Sequence, residues 1–448
     1  MRVRYFTKSS CSFVLIIKSK IVAKVRYSSQ KSYPTMSQLK QKYSKMLGVD
    51  HGYTTVPNDR SHLLKYVPNI KDLPPRNIKD SFLEGIIPLS KDEDLRDKYV
   101  TFMGHVRIGR LLEDMDKFAV HVGLQHIHAP TVPKDIPIPF MLATARCDRI
   151  DITSFERKPN EDIKIAGFVS WVGRSSMEVV VWLDQHYQGT WNKITRAIFL
   201  LAARNATGTQ AVAVNPLNPG NEYETKIVKD GEERKSKRVT IIQSRVSKVI
   251  PTTEEQQLIH VLYEKQMTEI RKGYNDKKMF PRGVIAMSKC RAANIIFNQP
   301  ENRNYFNKVF GGFIMRHATE IAWVLGFKVI RQRPSITHIS DIDFISPIAV
   351  DALMYMRARI VYTQENFAQI IVAVFSLEPT KGVETRSNTF HFTVTFPDPI
   401  KQVYPITYHE AMLYVDGKRH FDSLSKSNEA ESDDVLYKYL MELSKNER

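Results

Sequence analysis

Cysteine is scarce in this sequence, and several common catalytic motifs are missing from it. Among 448 residues there are three cysteines, Cys11, Cys147 and Cys290, and no two are spaced as CxxC. This argues against a disulfide framework and against a cysteine-based zinc site. There is no Walker A motif, no GxGxxG after a predicted strand, and GFVSWVG lacks the GxSxG spacing of a serine hydrolase. The apolar run FVLII at 13–17 is far too short to span a bilayer.

Acidic residues are absent from the first 49 positions, which carry much of the positive charge. The formal net charge is +17, and these 49 residues hold eleven Lys/Arg and no Asp or Glu. Subtraction (17 − 11) leaves +6 for the other 399 residues, so nucleic-acid binding is not expected. Interspersed basic, serine and apolar residues are typical of a mitochondrial presequence, which we place at residues 1–35, with RYSS at 26–29 as a processing site. A flexible basic tail is the alternative.

The spacing of apolar residues and the positions of Pro- and Gly-rich stretches predict two globular parts after that segment. The expected order is an N-terminal extension (36–84), a first domain (85–213), a linker with an exposed helix (214–284), a second domain (285–400) and a C-terminal tail with a helix (401–448). Apolar spacing at i, i+3 and i+4 predicts helices at 105–122 and 311–325, ended by Gly123 and Gly326.

Other segments are assigned from composition. Helices are expected at 189–204, 253–278 and 433–443, and the segment 214–238, dense in Pro, Gly, Asn and charge, is predicted to be a solvated loop. Strands are predicted in FMLATARCDRIDI, IKIAGFVSWVG, SSMEVVVWLD, SITHISDIDFI, ALMYMRARIVYT, AQIIVAVFSL and TFHFTVTF.

The two globular parts repeat each other. The intervals Gly109–Gly123 and Gly312–Gly326 each span 14 positions, and Thr144 and Thr337 each precede an Asp by four. A long helix followed by antiparallel strands is thus used twice. This pattern fits an α+β fold of two tandem hotdog domains, each a sheet wrapped around a long central helix, with the sheets paired edge to edge.

The motifs NRNYFNKVFGGFIM, SDIDFISPI and GRSSMEVVV resemble those of the hotdog acyl-coenzyme A thioesterases, and HVRIGRLLEDMDKFA resembles mitochondrial members of that family. The resemblance covers roughly residues 85–400. It implies hydrolysis of fatty acyl-CoA to free fatty acid and coenzyme A, with no metal or redox cofactor. Thioester hydrolysis needs an activated water and donors for the oxyanion. Gly311 and Gly312 at a helix N-terminus would supply open amides.

The resemblance also implies a composite site between the domains. Family repeats carry an Asn eight positions before the second glycine and an Asp seven positions after it. Half two keeps Asn304 and has Thr319 at the Asp position; half one has Thr101 at the Asn position and keeps Asp116. Asp116 is therefore expected as general base and Asn304 as the polarising amide. Without the resemblance, Asp116 would be a solvated helix charge and Asn304 a turn or capping residue.

Further candidates are a turn and several charged residues. The turn formed by Gly173, Arg174, Ser175 and Ser176 matches a family turn near the acyl-CoA site. Arg149, Arg174 and Arg316 are candidates for the phosphates of coenzyme A, with surface charge as the alternative. Glu320 is expected to be structural, and so are His126 and His128, which have no partner at metal-ligand spacing.

Three other functions stay open. A catalytically weak acyl-CoA binding or sensing protein on the same fold is the main alternative, because one composite site has lost its pair. An RNA-associated mitochondrial protein would rest on total charge alone. A hotdog dehydratase would need a His–carboxylate pair that Asp116 and Asn304 do not supply. If the protein is an acyl-CoA thioesterase, we expect it in the mitochondrial matrix as a homo-oligomer of double hotdog units. We expect no nucleic-acid partner and no integral membrane segment.

Overall fold

The structure is a computed structural model. It describes residues 33–49, 59–152, 158–187, 189–243, 245, 248–271, 283–304, 307–424 and 429–446. The predicted presequence lies almost entirely outside these residues. From Tyr33 onward the chain forms one compact unit. Among the residues described, no helix combines the length and apolarity that crossing a membrane requires. The predicted domain boundaries remain a prediction.

Thirteen strands occur in the described part of the chain. They are β1 Leu83–Ile87, β2 Phe140–Cys147, β3 Ile150–Ile152, β4 Ile163–Val172, β5 Ser176–Tyr187, β6 Thr190–Asn205, β7 Val284–Ala286, β8 Arg291–Phe297, β9 Ser335–Phe344, β10 Leu353–Gln364, β11 Phe367–Glu378, β12 Val383–Thr395 and β13 Gln402–Tyr404. The predicted strands are confirmed, with ends shifted by a few residues.

Eight α-helices occur in the same described residues. They are α1 Met36–Leu47, α2 Glu93–Tyr99, α3 Ile108–His126, α4 Glu222–Gln243, α5 Thr253–Arg271, α6 Gly311–Ile330, α7 Tyr408–Ser423 and α8 Glu429–Asn446. Helices α3 and α6 are the two predicted central helices. Both run past the expected glycine stops, because Gly123 and Gly326 lie inside them at tight contacts with neighbouring side chains.

One antiparallel sheet runs through both halves, in the order β1-β4-β5-β6-β2-β9-β12-β11-β10-β8, with β3 pairing β6 and β9. The halves join where β2 meets β9, with Cys147 opposite Ile342. An ion pair between Arg146 and Asp343, 2.8 Å apart, reinforces this seam. The double hotdog architecture with edge-to-edge sheets is confirmed, and pairing at the seam removes two exposed edges.

The central helices pack against each other inside the curved sheet and run antiparallel. Gly109 of α3 faces Arg316 of α6, while Gly312 of α6 faces Glu113 of α3. The N-terminus of each helix therefore lies beside the other helix. This pseudo-twofold arrangement creates two equivalent ends, one at Gly312 and one at Gly109.

The predicted helix at 189–204 is wrong, because this segment is strand β6. It pairs with β5 on one side and with β2 and β3 on the other. Residues 194–199 are all buried. A continuous apolar run in a central strand has no period-2 signal, so sequence alone cannot distinguish it from a buried helix.

The predicted solvated loop at 214–238 is also wrong, since α4 begins at Glu222. Arg234 and Arg238, one turn apart on α4, both bind Glu178 of β5, and Arg238 also binds Asp148. Glu178 is fully buried. Burial alone would raise the pKa of Glu178, but the two guanidinium groups reverse this and lower it to about 2. The buried face of α4 is charged, which hides it from a hydrophobicity pattern.

The C-terminal region holds more structure than predicted. Helix α8 includes the predicted helix at 433–443 and packs with α4 on the outer face of half one, around Phe168 and Trp182. Helix α7 had no prediction. It packs on β10, β11 and β12, on the outside of half two. Helix α5 confirms the first part of the helix predicted at 253–278; residues 272–282 lie outside the described residues.

Candidate active site

Asp116 lies where the two halves meet. It belongs to α3 and is fully buried, and one of its carboxylate oxygens accepts the N–H of Gly312, in the first turn of α6, at 2.6 Å. Its other oxygen accepts the hydroxyl hydrogen of Thr144, on β2, at 2.6 Å. Elements of both halves therefore hold this carboxylate at the positive end of the α6 dipole.

The environment of Asp116 makes it a better base than an exposed aspartate. Burial raises its pKa from 3.8 to about 6, although hydrogen bonds from Thr144 and Gly312 and the charge of Lys117 oppose the rise. A group with this pKa is ionised at pH 7 yet accepts a proton more readily than an ordinary aspartate. The arrangement is chemically suited to taking a proton from a bound water.

The Gly-Gly pair permits this contact between the halves. A Cβ at Gly312 would lie 2.8 Å from the backbone of Glu113, and one at Gly311 would lie 2.9 Å from the ring of Phe344. Neither position has room for a side chain without movement. The N–H of Gly312 is used by Asp116, whereas the N–H of Gly311 has no acceptor among the residues described. The oxyanion role of these glycines remains a prediction.

Asn304 lies in a tight loop before α6, and the same loop occurs before α3. The side-chain oxygen of Asn304 accepts the N–H of Lys308 at 3.1 Å, and its backbone N–H donates to the carbonyl of Lys308 at 2.7 Å. Thr101 makes the same two contacts with His105, at 3.2 Å and 2.7 Å. The side chain at this position therefore closes the loop in both halves.

The residue three positions further on completes the match between the loops. Asn307 has φ 56° and Gly104 has φ 75°, so both adopt the left-handed region, which Asn and Gly tolerate best. The alignment of Thr101 with Asn304 thus holds in the backbone as well as in the sequence. A catalytic role for Asn304 remains a prediction.

The opposite end of the helix pair lacks the bridging carboxylate. Thr319 donates its hydroxyl to the carbonyl of Met315 in its own helix, at 2.7 Å. Beside it lies a cleft of about 940 Å³ between the halves. Its walls include Phe102, Val106, Gly109, Thr319, Trp323 and Phe396. The end with Thr101 and Thr319 therefore has a cavity.

Comparison with known proteins shows the family of this chain. The chain is 35% identical over 395 residues to "Acyl-coenzyme A thioesterase 9, mitochondrial" of Mus musculus, which covers 87% of this chain and 89% of that protein. The human protein of the same name is 34% identical over 357 residues, or 79% of this chain and 80% of that one. The chain belongs to the acyl-coenzyme A thioesterase family.

Further comparisons concern parts of this thioesterase. Residues 306–383 match the family model of the Thioesterase superfamily. They contain the Gly-Gly pair, α6 and the strands up to the start of β12. Among solved structures, an acyl-CoA hydrolase from Bacillus cereus is 19% identical, with a TM-score of 0.33 over 34% of this chain and 96% of that one.

Charged side chains around the thioesterase site are paired within the protein. Arg316 binds Glu113 at 2.8 Å, and Arg149 binds Asp151 at 2.6 Å. Glu320 binds Arg107 across the helix pair. The proposed contact of Arg316 or Arg149 with phosphate would therefore compete with an existing ion pair.

The predicted substrate-binding turn, Gly173–Ser176, connects β4 to β5. The carbonyl of Ser175 accepts the N–H of Ala203 at 2.8 Å, and that of Arg174 accepts the N–H of Val214 at 3.2 Å. These contacts fix the turn against β6 and the segment after it, while the Arg174 side chain is exposed. Binding of substrate by this turn remains a prediction.

One site residue was missed by the sequence analysis. Thr144, which bonds Asp116, was noted only as part of the repeat, where its counterpart is Thr337. The repeat was the available signal, since the position is Thr in both halves.

His126 and His128 were expected to be structural, and both bond Asn215. The ring of His126 lies 2.8 Å from the backbone carbonyl of Asn215, and the N–H of His128 lies 2.9 Å from the side-chain oxygen of Asn215.

Proposed function

We propose that this thioesterase hydrolyses fatty acyl-CoA at the Asp116 end of the helix pair. Water would add to the thioester carbonyl carbon, the C–S bond would break, and free fatty acid and coenzyme A would leave. The observation that carries the proposal is the buried Asp116 carboxylate, held by Gly312 of the other half and with its pKa raised to about 6.

In this mechanism Asp116 removes a proton from the attacking water. The carboxylate is ionised at pH 7, and its raised pKa improves proton transfer. The proton would then pass to the leaving thiolate, so the carboxylate is regenerated. Because its two oxygens already accept hydrogen bonds from Gly312 and Thr144, the remaining lone pairs are left for water.

The developing oxyanion would be stabilised at the start of α6. The N–H of Gly311 has no acceptor among the described residues and lies at the positive end of a 20-residue helix. The side-chain oxygen of Asn304 accepts the N–H of Lys308, which holds the amide in the loop before α6, and Asn304 is proposed as the polarising amide. Thr101 at the equivalent position carries no amide.

The direct test is release of thiol from acyl-CoAs of several chain lengths by the full chain. Asp116→Asn and Asn304→Ala are compared with Asp94→Asn, which changes an exposed carboxylate on α2. Wild type and Asp94→Asn should hydrolyse at the same rate, while Asp116→Asn should be slower by about 10²–10⁴-fold. A folded Asp116→Asn protein with the wild-type rate would exclude this mechanism.

The cleft at the other end favours a second candidate function, binding of acyl-CoA without hydrolysis. It has a volume of about 940 Å³ and apolar walls such as Phe102 and Trp323, but Thr319 replaces the base. The Asp116→Asn protein, titrated with acyl-CoA, separates the possibilities. Two molecules bound per chain would support the second site, and one would leave only the site at Asp116.

Location and assembly are part of the same proposal. The basic, serine-rich first 35 residues and the mitochondrial names of the relatives support import into the mitochondrial matrix. The full chain fused to a fluorescent protein should enter mitochondria, and a chain starting at residue 36 should not. A homo-oligomer of double hotdog units is expected, and light scattering of the purified protein would show its mass.

A further inference from the structure

Helix α7 brings two potential metal ligands close to the outer face of half two. Gly417 allows the close approach, because a Cβ there would lie 2.7 Å from the side chain of Val361 and 2.9 Å from that of Tyr362. Asp416 is the neighbour of Gly417, and His420 follows Asp416 by four positions. Residues at i and i+4 lie on the same face of a helix. Asp416 and His420 therefore point to the same region.

The strand below supplies a third ligand. On β12, Phe390 and Phe392 are fully buried in the core, so His391 between them points to the opposite face of the sheet, towards α7. Its Nε2 lies 3.8 Å from Oδ2 of Asp416. Its ring stacks on that of His420, with centroids 3.7 Å apart and planes at 22°.

We propose that His391, Asp416 and His420 form a binding site for a divalent transition-metal ion, with Zn²⁺ as the best fit. One ligand atom from each lies within 4.8 Å of the other two. Zinc bonds to His and carboxylate are about 2.0–2.2 Å long, so tetrahedral ligand atoms lie about 3.4 Å apart. Closing the site requires the rings of His391 and His420 to rotate out of their stacked arrangement, and water would complete the coordination.

A neighbouring hydroxyl supports this assignment. Oγ of Ser340 lies 3.3 Å from Nδ1 of His420, and metal-binding histidines commonly hold their second ring nitrogen in such a bond. Positive charge also reaches Asp416, from Arg386 and Arg419. Arg419 also makes two 2.6 Å bonds to Glu255, and Arg386 donates to Thr389.

The expected consequence is structural. The site lies across the sheet from α6 and contains none of the residues assigned to hydrolysis. A bound ion would tie α7 to β12 and so hold the outer cover of half two in place. It would stabilise the folded chain without entering the reaction.

The test is a titration of the full chain with Zn²⁺ after removal of metal by a chelator. Calorimetry should show one tight site lost in His420→Ala and in Asp416→Asn, each weakened about tenfold or more. His409→Ala changes an exposed histidine on the same helix and should bind like wild type. Co²⁺ as a spectroscopic probe should give the visible bands of nitrogen and oxygen ligation. Zn²⁺ should raise the melting temperature of wild type and of His409→Ala, and not that of the two ligand variants.

Equal Zn²⁺ affinity in wild type, His420→Ala and Asp416→Asn would overturn the proposal, and so would the absence of a stoichiometric site in folded wild type. Near-ultraviolet circular dichroism and thiol release show whether the variants fold. Agreement of the two ligand variants excludes local damage as the cause, because Asp416→Asn changes neither size nor shape.

Discussion

The two ends of the central helix pair have the same backbone and different chemistry. Before each helix lies the same loop, closed by Thr101 at one end and by Asn304 at the other. Beside one helix N-terminus, Asp116 bridges the halves; beside the other, Thr319 bonds its own helix. A duplicated fold can therefore keep the same loop before both helices while the side chains beside the two helix starts differ.

The difference also affects packing. At the Asp116 end the carboxylate occupies the interface and is fully buried, and at the Thr319 end a cleft of about 940 Å³ remains open. A buried carboxylate is costly unless it is hydrogen-bonded. Two hydrogen bonds from two different elements offset part of that cost at Asp116, whose pKa stays raised to about 6, and one of them links the two halves.

The largest expected effect is on the rate at the Asp116 end. Asp116→Asn should lower thiol release by about 10²–10⁴-fold, because the base is lost while the shape is kept. Asn304→Ala should also reduce the rate, through loss of the donor. If the end with Thr319 were the active one, neither change would affect hydrolysis.

The outer faces of the two halves also differ, because buried ion pairs attach helix α4 to the sheet of half one. Arg238→Ala should lower the free energy of unfolding by about 3 kcal/mol, since Glu178 and Asp148 lose a partner in a buried cluster. Urea unfolding of this variant is compared with Lys237→Ala, an exposed neighbour. An equal midpoint in both would show that the cluster contributes little.

The cluster of Glu178 with Arg234 and Arg238 also predicts how stability changes at acid pH. The folded-state pKa of Glu178 is about 2, below its usual 4.5. Its contribution to stability is therefore complete above pH 4.5 and disappears as the pH falls towards 2. Glu178→Gln should be destabilised at pH 7 and should lose less stability than wild type between pH 4.5 and 2.

Glycine at the two helix starts provides a matched pair. A Cβ at Gly312 would meet backbone at 2.8 Å, and one at Gly109 would meet backbone at 3.1 Å. Gly312→Ala should therefore cost about 2–3 kcal/mol and Gly109→Ala about 1 kcal/mol, judged by the cost of overpacking. Gly220→Ala, where the nearest atom is 3.5 Å away, serves as control. Equal losses at 312 and 109 would mean that the ends pack alike.

The pH profile tests the base itself. Because burial raises the pKa of Asp116 to about 6, kcat/KM should fall about tenfold for each pH unit below 6 and level off above it. The residual activity of Asp116→Asn should lack this step. A midpoint near 4 in wild type would indicate a different, exposed carboxylate.

The smallest effect is expected when the Asn and the Asp of the proposed site are introduced at the opposite end of the helix pair. Thr101→Asn with Thr319→Asp, introduced into the Asp116→Asn protein, should recover about tenfold in rate, because the loop and the Gly109 amide are already present. No recovery in a folded protein would show that the second cleft differs in more than these two side chains.

Sequence alone determined the repeat, both central helices and most strands. Those features are local or repeated: the apolar face of α3 has period 3.6, and the intervals between glycines can be counted. The family resemblance then supplied roles for Asp116 and Asn304 that no local pattern contains.

Only the tertiary structure decided the rest. β6 became a strand because two neighbours hydrogen-bond to it, and α4 became a buried helix because Arg234 and Arg238 reach Glu178, far away in sequence. The same is true of the contact between Asp116 and Gly312, separated by 196 positions. Such partners have no signature near either residue, since their free energy arises only when the chain brings them together.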